Sequence, residues 1–229
     1  MVAWWVEAGL LGPMKLMNKD NAAAAAASAS QACDRVKDVL QAGVKLMSLA
    51  GAIFCHKDDK KGQQDTLQFF FKSVIGYMVT FLDTSNTHYQ SHCDAATILV
   101  LYQPLFIKFL ELVRDKKELG KFTNIELNMY RPLQDTPTVT ELCVLVLYAQ
   151  SISQSYMQQV LGPEQEQKNV LDLGQLHAKV KAYCQTVISN PDLLLRPDPY
   201  KTGAMDGRQW RHPEAFYAVQ KQIPALPHI

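Results

Sequence analysis

The sequence lacks a dominant charge sign. Its 23 Lys plus Arg residues meet 22 Asp plus Glu, for a formal net charge of +1. That balance removes the electrostatic footprint of a general nucleic-acid or acidic-membrane binder. Cysteine is sparse. The five, Cys33, Cys55, Cys93, Cys143 and Cys184, are odd in number and widely spaced, with no CxxC pair. Zinc-ribbon and thioredoxin-type readings therefore have no support, and buried free thiols in a reducing compartment are expected. A GxSxG elbow, a P-loop and a GxGxxG fingerprint are also missing. No basic n-region precedes the apolar residues at the N-terminus, so a signal peptide is not expected and an intracellular (cytoplasmic or nuclear) location is.

Apolar material is present in quantity. Hydrophobic residues make up 48% of 229 and charged residues 20%, enough to bury a core. The most membrane-like stretch, 95–113, contains Pro104, Lys108 and Glu111. Two charges and a proline inside the window argue for a buried central helix rather than a span.

The helical period begins near Ser30, with Val36, Leu40, Val44, Met47, Gly51 and Phe54 on one face. A second helix is predicted from about Asp65 to Leu82. A third runs from Thr87 or Ser91 to Leu119 with a kink at Pro104. Thr138 and Glu141 have capping-box spacing and open a fourth helix that ends at Gly162-Pro163. A fifth spans Asp172–Ser189, and a short one Pro213–Gln222. The pattern predicts an all-α chain: a single bundle of five to six helices with an irregular Pro-rich C-terminal arm. Residues 122–135 break the period. Ile125, Leu127 and Met129 alternate with polar neighbours, which predicts an extended crossover or an edge strand that pairs with a partner.

Residues 1–30 stand apart from the domain expected over 31–229. A short apolar peptide is followed by the alanine run Ala22–Ala27. This segment reads as a docking peptide, a tail or an engineered fusion on a linker, or else as the first helix of the domain. On the first reading Trp4, Trp5, Leu10, Leu11 and Leu16 are its anchors.

Four functional classes are open on these residues. The leading expectation is a non-enzymatic interaction or scaffold domain that takes an amphipathic peptide or helix in an inter-helix groove, with a protein or peptide partner and no cofactor. The alternative is a helical metal-binding or enzymatic domain around His88 and His92, which share a helical face at i and i+4. The glutamate of HExxH is absent beside them. A further alternative is nucleic-acid binding by the arm, where Arg196, Lys201, Arg208 and Arg211 accompany Trp210. Four acidic residues, Asp192, Asp198, Asp206 and Glu214, offset that charge. Last, the Phe69-Phe70-Phe71 triplet beside the kinked helix could line an apolar ligand cavity.

Overall fold

A computed structural model of the chain describes residues 2–17, 42–60, 62–84, 90–162, 169, 173–196 and 200–226. The alanine run and His88 lie outside them. The described residues form an all-α structure with no strand. Its helices are α1 (Val2–Glu7), α2 (Ala42–Phe54), α3 (Gln64–Ile75), α4 (Ser91–Leu101), α5 (Gln103–Asp115) and α6 (Asn124–Tyr130). Then come α7 (Thr136–Tyr148), a π-helical turn (Ala149–Ser153), α8 (Gln154–Leu161), α9 (Gly174–Ser189), α10 (Tyr200–Gly203) and α11 (Pro213–Gln222).

The centre is aromatic. Phe106 is wholly buried, with its ring centroid 5.3 Å from Phe54, 5.4 Å from Phe71 and 6.0 Å from Phe81. These separations are those at which rings gain edge-to-face and offset contacts beyond plain area burial. Phe70 and Phe71 fill this core while Phe69 is 75% exposed. Phe70 and Phe71 therefore pack into the aromatic core, whereas Phe69 faces solvent.

Two expected boundaries shift, each for a local reason. The second helix stops at Ile75 because Gly76 turns left-handed (φ 86°) and its N–H caps Lys72 O. The chain then crosses α2, where Thr84 Oγ1 donates to Met47 O at 3.0 Å. Gly51 makes that crossing possible, since a Cβ there would lie 2.0 Å from Thr84 Oγ1. The third helix is two helices. α4 and α5 meet at 80°, with Tyr102 as the joint and Pro104 in the first turn of α5. No single helix among the described residues is long and apolar enough to cross a membrane.

The predicted strand is overturned. Residues 124–130 are helical because Thr123 and Glu126 form a true capping box. Thr123 Oγ1 accepts from Glu126 N–H at 3.3 Å, and the Glu126 carboxylate accepts from Thr123 N–H at 2.8 Å. Met129 is buried, Leu127 half-buried and Ile125 48% exposed, so the three no longer share a face. Pro132–Gln134 form a 3-10 turn after α6, and no extended crossover exists over 122–135. The cap of α7 is also different from the expected one. Asp135, not Thr138, is the N-cap residue, and its Oδ2 accepts from Thr138 N–H at 3.1 Å.

Candidate functional site

Two places concentrate chemistry that helical periodicity does not explain. The first is the surface where residues 2–17 lie against α6 and α7, with α2 beside Glu141. Trp5 is 3% exposed and its indole N–H donates to Glu141 Oε1 at 3.2 Å. Gly43 of α2 leaves room for that carboxylate: a Cβ there would sit 2.7 Å from Glu141 Oε2. Further along, Met14 N–H donates to Asp135 Oδ2 at 3.2 Å, and Asn128 Nδ2 donates to Met17 O at 2.9 Å. Asp135 thus serves twice, as the cap of α7 and as an acceptor for the segment.

Of the five expected anchors, Trp5 and Leu16 are buried and Leu10 is half-buried. Trp4 is 46% and Leu11 90% exposed. Trp5 and Leu16 lie outside the aromatic core cluster, so the segment packs on the body rather than through it. Burial pushes the Glu141 carboxyl above the ordinary glutamate range, although the Trp5 hydrogen bond opposes the shift.

The second place is the π-turn. A π-turn inserts one residue into the helical register, and such turns recur at functional sites. Here Ser151 O accepts from Met205 N–H at 2.9 Å, and Gln150 Oε1 accepts from His212 N–H at 3.0 Å. Gln154 bridges two charged groups: its Nε2 donates to Asp94 Oδ1 at 3.2 Å and its Oε1 accepts from Arg211 Nη1 at 2.9 Å. Gln90 Nε2 donates to Ser153 Oγ at 2.6 Å, and Ser155 Oγ donates to Asp206 Oδ1 at 3.0 Å. Together these bonds latch residues 204–212 onto α4 and the π-turn. Burial pushes the Asp94 carboxyl up, while Arg211, His212 and Gln154 pull it back without restoring the ordinary value.

The candidate nucleic-acid residues divide between latch and solvent. Trp210 is 7% exposed and stacks on Phe216 at 5.3 Å, so its faces serve the core rather than a base. Arg211 is held by Gln154. Arg196, Lys201 and Arg208 are exposed. His92 is half-buried in the first turn of α4, 3.5 Å from Ser91 Oγ. Among the described residues no group of three or more His, Cys, Asp or Glu side chains could hold a metal ion. The four described cysteines are free thiols, but only Cys143 is buried as expected; Cys55, Cys93 and Cys184 are half-buried. Burial pushes the Cys143 thiol up to about 12, and burial with Asp94 beside it pushes Cys93 up to about 11. Such thiols stay protonated and are poor nucleophiles.

An apolar pocket of about 370 Å³ opens between α7 with its π-turn and α9 with the 3-10 turn Pro191–Leu194 beyond it. Sequence reading missed both the pocket and the latch. Its only available signal for the latch was the Ser/Gln-rich run Gln150–Ser155 inside an otherwise apolar helix. Compared with protein-family models, curated proteins and solved structures, the chain matches none.

Proposed function

We propose that the chain is a helical protein-interaction domain whose α2/α6/α7 groove takes an amphipathic peptide, with residues 2–17 as its intramolecular occupant. The observation that carries this reading is Trp5, buried yet outside the aromatic core, its indole N–H on Glu141. The groove offers a ligand an aromatic slot and side-chain acceptors for backbone or indole N–H groups, the combination that helix-in-groove recognition uses. A partner helix with one aromatic anchor competes for the same slot. Tethering raises the effective concentration of the resident segment, so a competitor must bind well to displace it.

The experiment is a truncation with add-back. A chain lacking residues 1–20 is expected to unfold cooperatively and to bind a synthetic peptide of residues 2–17 saturably. Trp5→Ala in the peptide is expected to weaken binding by about 3 kcal/mol or more, the usual scale for removing a buried indole. Loss of cooperative unfolding in the truncated chain would make the segment part of the core and end the reading.

A further inference from the structure

From the pocket between α7 and α9 we infer a binding site for a small, uncharged apolar molecule, separate from the surface that residues 2–17 occupy. Val144, Leu147 and Ile152 form one wall and Val187, Leu194 and Leu195 another. Tyr148, Ser151 and Pro191 complete the lining, and none of these residues carries a charge. The Ser151 hydroxyl donates to Tyr148 O at 3.4 Å, within its own helix. A charged ligand entering here would lose its hydration and meet no counter-charge on the walls, which costs several kcal/mol.

Size sets the class of small molecule that fits. The volume of about 370 Å³ lies at the lower end of small-molecule pockets, roughly 300–1,000 Å³. The pocket therefore suits a bicyclic aromatic or a short acyl chain.

Its origin is structural. α9 buries none of its residues. Its apolar stripe, Leu176, Val180, Tyr183 and Val187, is only half-buried, as is Leu173 just before it. Tyr156 stacks on His177 toward one end of α9, and the Tyr183 hydroxyl donates to Gly203 O. Val187 lies beyond both anchor points, and there the helix faces the pocket instead of closing on α7. The π-turn supplies Ser151 and Ile152 to the opposite wall.

The test uses the full chain and N-phenyl-1-naphthylamine, an uncharged apolar fluorophore with a naphthyl and a phenyl ring. The expected result is saturable, blue-shifted emission at one site per chain. Val144→Trp fills the pocket from a position already 39% exposed, and Leu195→Trp fills it from the facing wall. Each is expected to weaken binding at least tenfold while the unfolding midpoint holds. If one variant fails to fold, the other carries the comparison. Absence of saturable emission from the parent chain overturns the inference, as does unchanged binding in a folded variant. A dimer of the parent chain that Val144→Trp dissociates would place a second copy on this face and overturn it as well.

Discussion

The aromatic centre and the π-turn latch hold the same molecule together by opposite means. At the centre, Phe54, Phe71, Phe106 and Phe109 are buried with nothing polar to satisfy, and their association stems from area removed from water. At the latch, Gln150, Ser151, Ser153 and Gln154 are each 2% exposed or less. Burying those groups is unfavourable until each finds a partner. The partners come from Asp94 on one side and Met205, Arg211 and His212 on the other. The pairing is incomplete, since Gln150 Nε2, Asp206 Oδ2 and Trp210 Nε1 are buried without a hydrogen bond. The centre depends on close packing of its rings. The latch depends on geometry.

That contrast can be broken first at its strong end. Phe106→Ala removes a ring in contact with three others and is expected to cost about 3–5 kcal/mol, read as a lower denaturant midpoint. Gln154→Ala is expected to cost about 1–3 kcal/mol, because it leaves Asp94 and Arg211 without their shared partner. If the latch is a network, Gln154→Ala and Asp94→Asn will be non-additive in a double-mutant cycle, whereas Gln154→Ala and Phe106→Ala will add. Thr123→Ala removes the cap of α6 and is expected to cost about 1 kcal/mol. No loss there would mean that the Thr123 cap does not hold α6 in place.

The smallest effects are in pH dependence, and two carboxyls are expected to act with opposite sign. Folded Asp94 holds its proton more tightly than the unfolded chain does. Its contribution is therefore full below the ordinary aspartate range, about 3.9, and is lost as pH rises through the elevated folded value. For Glu126, burial pushes the carboxyl up, but Lys117 and Thr123 more than offset it and hold it low. Its contribution is present above the ordinary glutamate range, about 4.3, and is lost as pH falls through the depressed folded value. Asp94→Asn should remove the first slope and Glu126→Gln the second, measured as unfolding free energy between about pH 3 and 6. Slopes of the same sign at the two sites would contradict the opposite shifts, which stem from Lys117 and Thr123 beside Glu126.

Much of the architecture was legible because a 3.6-residue period survives wherever one helix face is less exposed than the other. The stripe of α9 and the bounds of α11 were readable for that reason. Errors gathered where a short-range signal competed with the period. Thr123-Asn124-Ile125-Glu126 carried a capping box inside an alternating run, and the cap prevailed because it satisfies two backbone donors locally. Gly76 ended a helix whose apolar pattern continues, because a left-handed glycine turns the chain whatever apolar residues lie beyond it.

The sequence by itself determined that the chain is helical, that its cysteines form no metal or redox motif and that Trp5 belongs to a short apolar peptide. Tertiary structure alone decided that Trp5 meets Glu141 across 136 positions, that the polar run at the π-turn is interior, and that α9 stands off α7. The reason is range. Helical propensity and caps act within a few residues, whereas satisfaction of a buried polar group depends on which distant segment arrives beside it.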